Sequence, residues 1–529
     1  MSSRHPLPER STSERGQALV LIALAFVGLA AFIGLAVDAG ILFINVGHLR
    51  RAVDAAALAS ANQFRESRTL PEMEAAADEL VNLNSLNPAS ARIYICDIIT
   101  PNDPYYDDPT LCPTGGEPYR KFVRVRASMA VGLAFLPVVG WNTVTLNAEA
   151  ISEAASIDLV LVIDTSASQA FDLCNDGEDN DEDGTVDDCV SNNPPNPAGP
   201  PNMGGSTSES DADQCNANRF IADPNGPGLD APGLPPDGDR EDDCHAFEEV
   251  RTASLGLLGR MYFPYDRMAV ITYDDTAAVA VDLATGDNYT DVFNALQAME
   301  VGADPPCSFG TTGDPRGCTN TNTGEGERVG GSQFGAFTRE EAVWIVIVLS
   351  DGAANAARDS LNAWICPGNV GATTWVSPFC RDEDFEIGNG SAGYDAEDDA
   401  EYWAGWVGCP DANTSPQPAA CAPYAPGGQG AVIFTIGLGD LVIDSHACDP
   451  VVYAPGYPTG CQPDAGEQLL RYIAGAGDDG DPQTPLAQEP CNGVGTGNSC
   501  GNYYFAPQGS ALNQVFEAIA SRIFTRLTH

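Results

Sequence analysis

Two strings in this chain put oxygen-bearing side chains where chemistry can happen: IDLVLVIDTSAS at 157–168 and VWIVIVLSDGAAN at 343–355. The first delivers Asp164, Ser166 and Ser168 at alternate positions, and the second delivers Asp351 followed by Gly352. Two carboxylates and two hydroxyls form a hard, all-oxygen donor set, suited to Mg²⁺, Mn²⁺ or Ca²⁺ rather than to a soft metal. A second acidic string, CNDGEDNDEDGTVDDC at 174–189, alternates Asp179, Asp181 and Asp183, then gives Gly184 and Asp187. That spacing matches positions 1, 3, 5, 6 and 9 of a calcium loop. Val190 stands where an EF-hand has its bidentate Glu, and no helix pattern flanks the string.

The elements that must position these groups are readable around them. Both strings are apolar runs of strand length that end abruptly in polar residues, as a buried parallel strand does at its carboxyl end. Open α/β sheets bind ligands at that end. Further strands are expected at 267–273, 277–283, 431–437 and near Tyr503–Phe505, with helices over 246–261, 290–299, 466–474 and 509–526. This alternation predicts a doubly wound α/β domain over 157–529. It is interrupted at 171–242, a stretch rich in Pro, Gly, Asn and Asp, and at about 357–429, rich in Cys and aromatic residues.

Asp-x-Ser-x-Ser closing a first strand, paired with a later strand ending in Asp-Gly, resembles the metal-ion-dependent adhesion site of von Willebrand factor A domains. The resemblance implies a doubly wound von Willebrand A fold and a threonine from a third loop, typically in a Thr-Asn-x-Gly setting. TNTGEG at 321–326 supplies it, with Thr321 as the choice and Thr323 and Thr319 as close rivals. Carried over, Asp164, Ser166, Ser168, Thr321 and Asp351 hold Mg²⁺ or Mn²⁺, and an acidic group from a partner completes the shell. The 174–189 string is similar to the calcium loops of thrombospondin type 3 repeats and to a Cys-bounded bacterial metal-binding motif.

The amino terminus says where the domain works. Gln17–Val37 is an apolar run of about 20 residues, enough to cross a bilayer. Arg4, Arg10 and Arg15 precede it and favour a cytoplasmic amino end with the remainder exported, periplasmic or extracellular. The run is long and ends without a small-x-small cleavage site, so an uncleaved single-pass anchor is expected over a signal peptide. Arg15-Gly16-Gln17-Ala18 before the span, Ala36-Val37-Asp38-Ala39-Gly40 at its end, and Ala52–Ala59 beyond it resemble TadG-like proteins of the tight-adherence (Flp-type) pilus system. FVRVRASMAVGLAFLPVVGWNTVTLNAEAISEA at 122–155 continues the likeness more loosely and reads as two strands around a short apolar segment. The expected organisation is a cytoplasmic tail at 1–16, a transmembrane helix at 17–44, an exported TadG-like α+β region at 45–156 and the α/β domain beyond. Asp38 and Asp54 read as surface positions of a helix leaving the membrane.

Composition narrows the function classes. A net charge of −49 makes nucleic acid and anionic membrane surfaces poor partners. Sixteen cysteines fall as close neighbours: Cys96 with Cys112, Cys174 with Cys189, Cys215 with Cys244, Cys307 with Cys318, Cys366 with Cys380, Cys409 with Cys421, Cys448 with Cys461 and Cys491 with Cys500. None has CxxC spacing, and five histidines are too few for repeated zinc sites, so loop-stapling disulfides in an oxidising compartment are expected. Lys121 is the only lysine, and neither a Gly-x-Ser-x-Gly elbow nor an HExxH motif occurs, so no enzyme is expected. The expected function is a membrane-anchored, exported adhesion or protein-binding module, associated through the resemblance with tight-adherence pilus assembly. The alternative is a structural pilus or envelope component whose von Willebrand A domain serves only as a scaffold.

Overall fold

A computed structural model describes residues 14–64, 69–96, 105–112, 119–166, 169, 247–274, 276–300, 321–339, 341–354, 356–357, 396–410, 419–424, 428–439, 442–443, 464–478, 482 and 489–526. The chain divides into two units, Met1–Ala154 and Ala155–His529.

The first unit is built on one long helix, α1 (Glu14–Asn62), and a shorter one, α2 (Leu70–Asn84). Three antiparallel strands follow in the order β1 (Ala89–Ile95), β2 (Lys121–Gly132) and β3 (Thr143–Ala154). β2 buries Val123, Val125, Ala127, Met129 and Val131 at alternate positions, so one face of the sheet is core. From Gly34 onward α1 turns a stripe toward α2 and the sheet: Asp38, Asn45, Leu49, Ala52, Val53 and Ala56 are buried along it. Residues 19–33 are exposed throughout. This helix is long and apolar enough to cross a membrane.

The second unit is a six-stranded sheet with helices on both faces. Its strands are β4 (Ser156–Asp164), β5 (Arg267–Tyr273), β6 (Ala277–Val281), β7 (Ala342–Ser350), β8 (Val432–Leu438) and β9 (Tyr503–Ala506). Their order is β6-β5-β4-β7-β8-β9, all parallel except the β6 edge. The helices are α3 (Phe247–Leu258), α4 (Tyr289–Gln297), α5 (Thr323–Ala336), α6 (Ala396–Gly408), α7 (Ala465–Ala476) and α8 (Gly509–Arg526). β4 is buried at every position and splits its side chains between two cores. Leu159, Leu161 and Ile163 meet Phe247, Leu296 and Phe516 of α3, α4 and α8. Val160 and Val162 meet Phe334, Ala404 and Ile473 of α5, α6 and α7. This is the doubly wound fold that the two apolar strings call for, with parallel strands and one antiparallel edge.

The stretch read as an insert at about 357–429 also contributes to the core: it contains α6, whose Ala396, Ala400, Ala404 and Val407 are fully buried in the second core. A narrow alanine face among acidic residues carries little periodic signal, because alanine contributes small apolar area.

Of the eight expected cysteine links, three are formed among the described residues: Cys96–Cys112, Cys409–Cys421 and Cys491–Cys500. The other five fall on ten cysteines that lie outside the described residues: Cys174 and Cys189, Cys215 and Cys244, Cys307 and Cys318, Cys366 and Cys380, and Cys448 and Cys461. Those five pairings stay expectations from spacing alone.

Candidate metal centre

The order of strands fixes where a site belongs. After β4 the chain moves to β5 on one side, and later returns to β7 on the other, so β4 borders a topological switch point. Ligands of open α/β sheets bind beyond the carboxyl ends of strands at such a point. β4 ends at Asp164 and β7 at Ser350, with Ile163 and Leu349 paired in parallel register just before them. The register brings Asp164 and Asp351 to the same crevice.

The side chains there are tightly joined. Asp164 Oδ1 accepts from the Ser166 backbone N–H at 2.9 Å, a local turn that keeps Ser166 beside its own strand end. Asp164 Oδ2 accepts from the Ser350 hydroxyl at 2.7 Å, and the Asp351 carboxyl lies close to that of Asp164. Thr321 Oγ1 lies 3.4 Å from Ser166 Oγ. Asp164, Ser166, Thr321 and Asp351 are all buried.

The third loop is held from two sides. Asn322 N–H donates to the Asp274 carbonyl just past β5 at 2.9 Å, and Ala356 N–H donates to the Thr321 carbonyl at 3.4 Å. Asn322 also caps α5, its side chain accepting from the Glu325 N–H at 3.1 Å. Glycines then let α5 lie flush on the sheet. A Cβ at Gly326 would come within 2.9 Å of Tyr273, and one at Gly330 within 2.9 Å of Val162. On another side of α5, a Cβ at Gly331 would come within 2.6 Å of Val407 in α6. The close approach is what carries the amino end of α5, and Thr321 with it, over the end of β4.

The electrostatics follow from this burial. Desolvation pushes the Asp164 carboxyl up to about 6, against the lowering effect of its hydrogen bonds from Ser166 and Ser350. Burial, followed by the nearby Asp164 charge, raises the Tyr273 phenol well above its ordinary range. Its hydroxyl therefore stays a donor, to the Leu349 carbonyl at 3.0 Å. Two desolvated carboxyls in contact cannot both ionise cheaply without a cation. Hydroxyls from Ser350, Ser166 and Thr321 gather beside them. The donor set is hard and all oxygen, which fits Mg²⁺ or Mn²⁺. Among the described residues no group of three or more Asp, Glu, His or Cys side chains is gathered for a metal, so this two-acid, multi-hydroxyl arrangement is unlike a carboxylate cage.

Of the residues singled out in the sequence, the structure brings together Asp164, Ser166, Thr321 and Asp351. Thr323 sits in the first turn of α5, and Ser168 and Thr319 lie outside the described residues. So do Asp179, Asp181, Asp183 and Asp187 of the calcium-loop string. Ser350 was missed by the motif, although it is the last residue of the apolar strand and directly precedes Asp351. Asp274 was missed because its contribution to the Thr321 loop is made by a backbone carbonyl, which leaves no mark on residue type.

No protein-family model matches this sequence. No curated protein matches it either. Among solved structures, proximal thread matrix protein 1 from the mussel byssus is similar at 10% identity, over 69% of this chain and 48% of its own, with a TM-score of 0.29. That protein has also been solved with a zinc-occupied MIDAS motif. The PilB minor pilin from Streptococcus sanguinis is similar at 11% identity over 84% of this chain and 80% of its own, TM-score 0.32. BatB from Bacteroides thetaiotaomicron is similar at 11% identity over 70% and 98%, TM-score 0.29. The chain spans about half the length of the mussel protein. Likenesses at this level leave the fold assignment to the chain's own strand order and register.

Proposed function

We propose that this chain is a membrane-anchored binding protein whose α/β domain captures a carboxylate-bearing protein or surface ligand through a divalent cation, and that it catalyses no reaction. The observation that carries this reading is the joined set Asp164–Ser350–Asp351 with Ser166 and Thr321 at the switch point of the sheet. When bound there, a divalent cation supplies an electron-poor centre that seeks a carboxylate. Ser166, Ser168 and Thr321 contribute neutral oxygens, which leave that demand unmet by the protein itself. Asp164 and Asp351 supply the negative charge that retains the ion and orient the hydroxyls around it. The 174–189 string is a second proposed cation site, for Ca²⁺ through Asp179, Asp181, Asp183 and Asp187.

The amino-terminal resemblance supports a place alongside tight-adherence pilus components, with the apolar part of α1 in the membrane and the body exported. A pull-down from envelope extracts with the full-length protein tests the reading. Capture should require Mg²⁺ or Mn²⁺ and vanish with chelator and in Asp164→Ala, while circular dichroism stays near wild type. Chelator-sensitive capture by Asp164→Ala would move the metal elsewhere, to the 174–189 string first. Capture indifferent to chelator would favour the scaffold reading.

A further inference from the structure

The turn between β2 and β3 leaves a set of large apolar side chains exposed. Phe135 is 49% exposed, Val138 89%, Val139 72% and Trp141 67%. Val138 and Val139 belong to the 3-10 turn Leu136–Val139 and Phe135 and Trp141 flank it; the turn ends at Gly140 with φ 94°, a left-handed conformation that favours glycine. Exposed apolar clusters of this kind mark contact with a partner or a membrane.

The turn is fastened to α1 at one level. The Asp38 carboxylate accepts from the backbone N–H groups of Ala134 at 2.6 Å, Phe135 at 3.1 Å and Leu136 at 2.7 Å, capping the 3-10 turn from a distant part of the chain. One helical turn earlier, a Cβ at Gly34 would lie 2.9 Å from Phe135, so Phe135 packs directly on the helix backbone. From Leu19 to Ile33 the helix is bare, and Gly34 and Asp38 are the first two buried residues after it. At 1.5 Å per residue, the rise from Leu19 to Asp38 is about 29 Å, close to the hydrocarbon thickness of a bilayer. A turn tied to Asp38 therefore sits where the span leaves the lipid, and it presents Trp, Phe and two valines there. Tryptophan is enriched at that depth because its ring is apolar and its N–H is polar.

We infer that the Phe135–Trp141 turn is a second membrane contact, a wedge in the outer interfacial layer of the same bilayer that α1 crosses. This rests on reading α1 as a retained anchor. The body's charge of −49 gives anionic lipid no attraction for it, so the contact must be apolar. A second contact at the foot of α1 would restrict the tilt and swivel of the exported unit on its helix.

The test uses the full-length protein in phosphatidylcholine vesicles, plain or with brominated acyl chains, and the emission of Trp141 taken as the difference between wild type and Trp141→Phe. Flotation with the vesicles reports the anchor separately. The inference expects flotation together with loss of most of the Trp141 emission in brominated vesicles. It also expects the double variant Val138→Asp with Val139→Asp to float while losing that quenching. Flotation without quenching of Trp141 overturns the wedge and leaves the anchor standing; the turn would then face a second copy or another protein. Failure of the wild type to float overturns both.

Discussion

The Ser350 hydroxyl donates to Asp164 Oδ2 at 2.7 Å, joining the carboxyl ends of two neighbouring parallel strands, β7 and β4, at the point where the order of strands reverses. Ser350 thus belongs to the centre although the adhesion motif does not name it. Ser350→Ala leaves a buried carboxylate oxygen short of a donor, which costs on the order of 1–3 kcal/mol. Its denaturant midpoint should fall without a change in slope, and Mn²⁺ binding measured by calorimetry should weaken. An unchanged midpoint with unchanged Mn²⁺ affinity would remove Ser350 from the site.

In the metal-free protein Asp164 should contribute a loss of stability as pH rises through the acid range. Asp164 titrates at about 6 when folded against an ordinary value near 3.8, so between those values the folded state holds more proton than the unfolded. The contribution of Asp164 to stability is then greatest below about 4 and declines until about 6, by about 3 kcal/mol in full. Asp164→Asn should flatten that part of the profile, and Mg²⁺ should restore stability at pH 7 in wild type only. A profile identical in wild type and variant would contradict the burial argument.

Glu327 in α5 is buried, and neither carboxyl oxygen has a hydrogen-bond partner among the described residues. Desolvation, then the charge of Asp399, raises it well above its ordinary range. The same sign applies: the group is comfortable protonated and becomes a liability as pH rises. Glu327→Gln should therefore raise the thermal midpoint at pH 8 more than at pH 5. Equal shifts at both values would mean that the side chain stays neutral throughout.

At the opposite end of β4, Asp158 is buried between Arg267 and Arg339, with Arg267 Nε at 2.9 Å and Arg339 bonded to the same carboxyl. Breaking such a buried group from one side typically costs about 3–5 kcal/mol. Arg339→Leu should produce a loss of that order in chemical denaturation while leaving Mn²⁺ binding by the folded fraction intact.

Mass spectrometry of a non-reduced digest should find few free thiols and mainly the eight neighbouring links. The three bonded pairs close loops of 16, 12 and 9 residues of separation. Replacing both Cys491 and Cys500 by Ser should cost about 2–3 kcal/mol by loop entropy. Widespread free thiols would place the chain in a reducing compartment.

The sheet was legible because β4 and β7 are buried on both faces, and such strands are written as unbroken apolar runs. Asp164 and Asp351 were legible for the same reason, since each breaks its run at the strand end. Thr321 could not be separated from Thr319 and Thr323 in sequence, because backbone bonds to Asp274 and Ala356 decide which threonine reaches Ser166. The α6 helix was hidden by its alanines. Asp38 read as a surface carboxylate on a helix; its bonds to Ala134, Phe135 and Leu136 span nearly a hundred residues, and no local pattern encodes them.

Five of the fourteen residues of α5 are glycine, each giving up about 1 kcal/mol of helix preference relative to alanine. Such a segment has no reason to be helical except where it lies against Tyr273 and Val162. Its amide protons should then exchange with solvent well before those of β4, and any loosening of the sheet would reach the Thr321 loop first. The centre would be dismantled from its threonine side while both aspartates were still in register.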